Sequence, residues 1–139
     1  MRRIATLLLL PIMAACGTQA VPAPDPGHGS TLIVVTNTGS ITIRQGDSTR
    51  PLKLPGPVQI ASAQVLQLDL QEFSGEPHWE TPSSSKPEIL RLAGSSETSG
   101  YRVVRLKGIS PGESWLETGF PCRAPACAVA ALAIRIDVV

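Results

Sequence analysis

Two short polar clusters hold the side chains that could perform acid–base or nucleophilic chemistry. The first is His-Trp-Glu at residues 78–80, and the second is a run of three serines at residues 83–85. Acid–base catalysis needs a nucleophile or a water molecule held by a second group, and no recognisable partner accompanies His78 or Glu80. The serines lack the G-x-S-x-G or S-x-x-K context that activates a hydroxyl. We therefore predict no catalytic residues, a protein that is not an enzyme, and a polar loop at these serines.

The N-terminus has the pattern of an export signal. Two arginines precede an apolar run over residues 4–13, about half the ~20 residues of a transmembrane helix. The run ends in Met-Ala-Ala-Cys-Gly, which resembles the lipobox of bacterial lipoproteins. That resemblance implies that residues 1–15 are a signal peptide, removed by cleavage before Cys16, and that Cys16 is acylated. The alternative is an ordinary signal peptide cut after Ala15, in which Cys16 has no role.

The residues after Cys16 predict a location and a tether. In Gram-negative bacteria an Asp at the next position commonly retains a lipoprotein at the inner membrane, so Gly17 predicts the outer membrane. In a Gram-positive source the same sequence predicts the outer face of the plasma membrane. Residues 16–30 are rich in proline and glycine and are predicted to form a flexible tether. Residues 31–139 are then long enough for one packed domain.

Cys122 and Cys127 are the remaining cysteines. Two thiols in an oxidising compartment, on either side of a turn that contains Pro125, predict a local disulfide. So short a loop places its stabilisation at the low end of about 2–4 kcal/mol, which makes fixing the loop's shape its main role. The alternative is a redox or zinc site. The spacing is C-x4-C, however, and only two histidines are present, so we predict no metal and no cofactor.

Charge argues against polyanionic partners. The chain has 12 basic and 11 acidic residues. Loss of Arg2 and Arg3 with the signal peptide leaves ten basic residues and a net charge of −1. A nearly neutral chain without a basic tract is a poor candidate for binding nucleic acid, or anionic lipid by electrostatic attraction.

Alternating apolar and polar residues predict the elements that position these side chains. Residues 31–36 and 40–44 flank three turn residues and predict a β-hairpin. Residues 51–57 carry three prolines and predict an edge segment or loop. Further strands are predicted at residues 64–73, 88–92, 101–107, 114–119 and 128–139. Seven to eight strands without helical periodicity predict an all-β, Ig-like β-sandwich.

The strand predicted at residues 64–73 has the clearest alternation. Leucines occupy positions 66, 68 and 70, and polar residues occupy positions 67, 69 and 71. This pattern is typical of a half-buried strand.

Residues 64–139 resemble bacterial Ig-like modules, including the chagasin-like inhibitors of cysteine peptidases. The resemblance rests on a loosely spaced W-x-S-x-x-P-x-I-L order from Trp79 to Leu90, and on Gly-x-Ser-Pro-Gly-Glu-Ser ahead of a C-terminal strand. It implies a sandwich that presents three loops to a peptidase groove. We expect the contact end at residues 74–78, 94–100 and 120–127. Of the family's first-loop pattern, N-P-T-T-G-Y-x-W, the chain keeps a Gly and Trp79.

Trp79, Trp115 and Phe120 are the candidate binding residues. Sandwiches often bury one tryptophan, which favours Trp79 as a core residue. Trp115 is exposed if Leu116 faces the core, and is buried if Leu116 faces outwards. An exposed patch of Trp115 and Phe120 would be the preferred contact surface.

These observations predict a membrane-anchored, non-catalytic binding or envelope-associated module. The alternative function is a chagasin-like cysteine peptidase inhibitor. The predicted partners are the membrane, through the lipid anchor, and an unidentified envelope protein or peptidase. No nucleic acid is predicted as a partner.

Overall fold

Ten β-strands make up the fold in the computed structural model, which describes residues 30–72, 79–98, 100–119 and 131–139. They form one six-stranded and one four-stranded sheet. The strands are β1 (Thr31–Val35), β2 (Ile41–Gln45), β3 (Ser48–Pro51), β4 (Val58–Ile60), β5 (Val65–Gln71), β6 (Ser83–Ser84), β7 (Leu90–Thr98), β8 (Tyr101–Gly108), β9 (Gly112–Gly119) and β10 (Ala131–Val138). The predicted all-β sandwich is confirmed, with more strands than the seven to eight expected.

The six-stranded sheet has the order β3-β2-β1-β5-β8-β7. β1 and β2 are antiparallel, with Val35 opposite Ile41, as predicted for a hairpin. β1 also pairs with β5 in parallel, and this pairing brings the N-terminal hairpin into the same sheet as the later strands.

The four-stranded sheet has the order β4-β10-β9-β6. β9 and β10 pair antiparallel along their full length, and the short β4 pairs with β10 in parallel. In β10 the apolar side chains of Ile134, Ile136 and Val138 are buried, as the alternation in the sequence predicts. None of the residues described here belongs to a helix long and apolar enough to cross a membrane.

The core lies between the two sheets because alternate residues of each strand point inwards. Its buried side chains come from both sheets and from the connection before β6; they include Ile33, Val35, Ile43, Leu66, Leu68, Leu70, Trp79, Val104, Leu106, Leu116, Ile134 and Ile136. Burial of this apolar surface is the main favourable contribution to folding.

The prediction of a half-buried strand at residues 64–73 is right about the strand and wrong about its burial. The leucines of β5 are fully buried, but Gln67 and Asp69 on its other face are also 0% exposed. β5 is an interior strand between β1 and β8. In register with Gln67 stand Leu32 and Arg105, and in register with Asp69 stand Val34 and Val103. Among the described residues, these neighbours flank the two polar side chains.

Four further strand assignments differ from the expectation. The loop expected at residues 94–100 is mostly strand, because β7 continues through Thr98 and pairs with β8 beyond an irregularity between Leu92 and Gly94. β3, β4 and β6 have only two to four residues each. Alternation cannot be recognised in so few residues.

Candidate functional site

Three connections leave the sandwich at the same end, namely residues 72–79, 98–101 and 119–131. We call this the loop end. The backbone N–H of Glu72 donates a 2.8 Å hydrogen bond to the carbonyl of Gly100, and the N–H of Glu80 donates a 2.8 Å bond to the carbonyl of Gly119. The described stems of the three predicted contact loops are therefore held together by backbone hydrogen bonds. Within them, residues 73–78, 99 and 120–130 lie outside the described residues.

A fourth connection, the β1–β2 turn at residues 36–40, also lies at the loop end. The backbone N–H of Asn37 donates to the side-chain oxygen of Gln71 at 3.1 Å. The sequence predicts this turn but not its position, because the parallel pairing of β1 with β5 is a long-range contact without a local signal. The residue types at the turn indicate a hairpin and nothing about its neighbours.

Trp79 supports the loop end from the interior of the sandwich. Its side chain is 1% exposed, and its indole N–H donates a 3.0 Å hydrogen bond to the carbonyl of Gln71. The guanidinium of Arg102 donates to the carbonyl of Trp79 at 2.9 Å and to the hydroxyl of Thr81 at 2.7 Å. Trp79 is thus placed as a core residue, and Arg102 connects β8 to the segment that follows the first loop.

A second side-chain contact joins the first loop to the third. The hydroxyl of Thr118, near the end of β9, donates a 2.7 Å hydrogen bond to the carbonyl of Glu80. Thr118 is 8% exposed. Neither Arg102 nor Thr118 was expected from the sequence, because their partners are backbone carbonyls that no motif marks.

Trp115 lies on the outer face of the four-stranded sheet. Leu116 is 1% exposed and faces the core, which decides between the two orientations left open by the sequence. Trp115 is half-buried and stands opposite Arg135 in the register of β9 and β10. Gly119, at the end of β9, is four positions after Trp115, or about 13 Å along a strand. Phe120 lies outside the described residues, so the patch predicted for it and Trp115 stays a prediction.

Charged side chains surround Trp115 on that outer face. The Nε of Arg135 lies 3.1 Å from a carboxylate oxygen of Glu113 and 3.2 Å from one of Asp137. Glu117 is exposed on the same face of β9. Its described residues therefore supply three carboxylates and one guanidinium. We call it the acidic face.

The serine cluster holds the chain against β9. The hydroxyls of Ser84 and Ser114 lie 2.7 Å apart. The oxygen of Ser85 accepts the backbone N–H of Trp115 at 2.9 Å, and that of Ser114 accepts the N–H of Lys86 at 3.1 Å. These hydroxyls bond to one another and to the backbone, which is the arrangement of a structural polar segment.

No group of three histidine, cysteine, aspartate or glutamate side chains within the described ranges could hold a metal ion. Cys16, Cys122, Cys127 and His78 lie outside those ranges. The predicted lipidation and the predicted disulfide therefore stay predictions.

A buried carboxyl on the outer face of the six-stranded sheet is a feature that the sequence did not predict. The Nε2 of Gln67 donates a 2.9 Å hydrogen bond to Oδ1 of Asp69, and Oδ2 of Asp69 has no hydrogen-bond partner in the described part of the chain. Burial raises the pKa of Asp69, while the bond from Gln67 and the positive charge of Arg105 act in the opposite direction. Because polar residues on alternate positions normally face solvent, the sequence offered no signal for this burial.

Comparison with known proteins identifies similar folds and no similar sequences. No protein-family model and no curated protein matches the chain. Among solved structures, the cysteine protease inhibitor EhICP2 from Entamoeba histolytica superposes with a TM-score of 0.50 at 11% identity, over 78% of this chain and 95% of that protein. Domains 4 and 5 of the S-layer protein SbsC give a TM-score of 0.44 at 14% identity, over 73% of this chain and 57% of that one. These identities establish a similar fold alone.

Proposed function

We propose that this chain is an exported, lipid-anchored module that binds a protein partner through the loop end and does not catalyse a reaction. The observation that carries the proposal is the common origin of the three connections, whose stems are joined through Glu72, Gly100, Glu80 and Gly119. Binding sites are commonly built from loops that a rigid scaffold holds together. Arg102 and Thr118 add side-chain contacts between the same stems and further reduce their freedom.

The described chain enters the sandwich at the end opposite the loop end. β1 begins at Thr31 and runs parallel to β5, which ends at the loop end, so the chain reaches β1 from the other end of the sandwich. The 14 residues between Cys16 and Thr31 would span up to roughly 45 Å if extended. A module tethered in this way carries its loops away from the membrane. We propose the outer membrane in a Gram-negative source and the outer face of the plasma membrane in a Gram-positive one.

The intact mass of the protein purified from membranes tests the anchor and the disulfide together. We expect a diacyl or triacyl mass on a chain that begins at Cys16. We also expect two thiols, Cys122 and Cys127, to become alkylated only after reduction. The Cys16→Ser variant is the control and should carry no lipid. An unacylated wild-type chain would contradict the anchor, and two alkylated thiols without reduction would contradict the disulfide.

Site-specific crosslinking in the native envelope tests the loop end. A photoreactive residue replaces Glu80 or Thr98, which are exposed at the loop end, or Asp47, an exposed turn residue at the opposite end as the matched control. We expect Glu80 and Thr98 to crosslink to the same protein and Asp47 not to do so. Equal crosslinking from all three positions would contradict a specific surface. A hydrolase activity lost on substitution of one polar residue would contradict a non-catalytic role.

A cysteine peptidase is the partner class that one specific observation favours. The fold superposes on nearly the whole of EhICP2, a cysteine protease inhibitor. Inhibition of papain tests this second function with a fluorogenic peptide substrate. Phe120→Ala, in the third loop, should weaken inhibition, and Asp47→Ala should leave it unchanged. Inhibition only at micromolar concentrations or above, or equal effects of the two substitutions, would leave a similar fold without the activity.

A further inference from the structure

Four of the described basic residues lie on the outer face of the six-stranded sheet. In the register of its strands, Arg44 lies opposite Leu32, Leu32 opposite Gln67, and Gln67 opposite Arg105. Lys107 is two residues beyond Arg105 on the same face of β8, and Arg91 of β7 lies opposite Lys107. We call Arg44, Arg91, Arg105 and Lys107 the basic face. Four strand spacings separate β2 from β7, so these charges extend over about 19 Å.

Within the described residues, little negative charge lies beside the Arg91, Arg105 and Lys107 side chains of the basic face. The ion pairs between described side chains involve Arg135 on the opposite sheet and none of Arg91, Arg105 or Lys107. Asp69 is the carboxyl on this face of the described strands, and it is buried. The exposed carboxylates at this end of the sheet, Asp47 and Glu88, lie in connections outside the strands. The three cations of β7 and β8 are exposed, so their charge is available to an external partner.

The pairing of Arg91 with Lys107 is unfavourable in the isolated chain. Like charges directly opposite each other on antiparallel strands repel and destabilise the pairing. Arg105 on the same face of β8 lies about 7 Å from Lys107 and adds to the repulsion. An extended anionic surface would relieve this repulsion, whereas a neutral surface would not.

The basic face lies at the end of the sandwich where the chain enters it, which favours a membrane as the anionic surface. Arg44 and Lys107 lie near the end of the sheet at which β1 begins. Arg44 is in register with Leu32, the residue after Thr31, and Lys107 is in register with Val65, the first residue of β5. The chain enters the sandwich at Thr31, at this end, and the loop end is at the other extreme. The presence of a membrane anchor before Thr31 rests on the proposed function, whereas the positive charge of the basic face does not.

We propose that the basic face docks on the anionic headgroups of a lipid bilayer. The acidic face on the opposite sheet, which carries Glu113, Glu117 and Asp137, is repelled by the same headgroups and fixes the orientation. The six-stranded sheet then lies towards the membrane at the tethered end, and the loop end is available to a partner. Attraction of this kind is screened by salt and falls off within about 8 Å at physiological ionic strength.

Co-sedimentation with vesicles tests the proposal without the anchor. The exported Cys16→Ser chain is mixed with phosphatidylcholine vesicles that do or do not contain phosphatidylglycerol. We expect binding only to the phosphatidylglycerol vesicles, with loss at high salt. Replacing Arg91 and Lys107 together by glutamine should weaken binding roughly 25-fold, because each basic residue near an anionic surface contributes about fivefold to the affinity. Arg135→Gln on the acidic face is the matched control and should bind at least as well as the parent chain.

Three results would overturn the proposal. Circular dichroism of each variant first checks that it is folded. Absence of binding to phosphatidylglycerol vesicles would overturn the proposal. The acyl mass at Cys16 tests the anchor independently of this result. Binding to soluble polyphosphate but not to vesicles would indicate a polyanionic polymer as the partner. Unchanged vesicle binding together with dimerisation of the Arg91→Gln, Lys107→Gln chain would indicate that these charges only keep edge strand β7 from pairing with another copy.

Discussion

The outer faces of the two sheets differ in both charge and burial. The six-stranded sheet carries Arg44, Arg105 and Lys107 on its outer face, where Gln67, in the same row as Arg44 and Arg105, and Asp69, in the adjacent row, are fully buried. The four-stranded sheet carries the acidic face, on which the half-buried Trp115 and exposed Glu117 are in contact with solvent. A nearly neutral chain thus folds into a sandwich whose two faces have opposite charge. Net charge describes the whole chain, while the field at a surface depends on which residues the strands place there.

The largest effect that separates the two faces should come from Leu32, which belongs to the outer face of the six-stranded sheet yet is 6% exposed. Leu32→Ala removes buried apolar volume and should lower the free energy of unfolding by about 2–4 kcal/mol. Leu92→Ala is the matched control, because Leu92 is in the same sheet and 41% exposed; its cost should stay near 0.5 kcal/mol, roughly that of a surface substitution. Urea unfolding followed by circular dichroism measures both. Equal costs would mean that the face is an ordinary solvent-exposed one.

A smaller, pH-dependent effect should come from Asp69. Burial raises its pKa in the folded protein above the ordinary value of 3.8, so the folded state binds this proton more tightly than the unfolded state. The stability from this group is complete below the unfolded pKa and is lost as the pH rises through the folded pKa. Asp69→Asn stays neutral and can still accept the bond from Gln67. Its stability relative to wild type should therefore increase as the pH rises, as measured by urea unfolding across a pH series. A difference that is constant, or that decreases, would contradict the burial of this carboxyl.

The smallest effect should come from the ion pairs of the acidic face. Arg135 and Glu113 are 40% and 44% exposed, so their attraction is screened by water and contributes less than about 1 kcal/mol. Arg135→Met should change the free energy of unfolding within that limit while making the face more acidic. Thermal unfolding at low and high salt measures the change. A cost above about 2 kcal/mol would mean that Arg135 is required to neutralise the face.

Many of the local elements could be predicted from the sequence because their evidence is local. Alternation along residues 64–73 and 128–139 and the turn between residues 36 and 40 predicted strands and a hairpin that the structure contains. The alternation did not reveal whether the second face of a strand is covered. Gln67 and Asp69 are fully buried although they have the same residue types that an exposed face would have, so their types carry no signal of burial.

The candidate site could be predicted only in part. Three contact loops at one end followed from a resemblance; the stems of the connections 72–79, 98–101 and 119–131 lie together there, but most of the second expected loop, residues 94–100, is strand. Arg102 and Thr118, which connect those stems, could not be predicted because each bonds to a backbone carbonyl distant in sequence. The orientation of Trp115 was open for a similar reason. A strand with an apolar residue at both neighbouring positions fits either register, and packing of Leu116 in the core selects one.

The sequence by itself determined the all-β fold class, because alternating apolar residues between frequent turns bury their apolar faces by packing sheet against sheet, in a sandwich or a barrel. It also contains the export pattern before Cys16 and the spacing of Cys122 and Cys127, both of which are local. The tertiary structure alone decided which residues share a surface. The pairing of β1 with β5, and of β5 with β8, brings Arg44 and Arg105 to one side of the molecule. Strand order depends on contacts between distant segments, whose energies no short stretch of sequence contains.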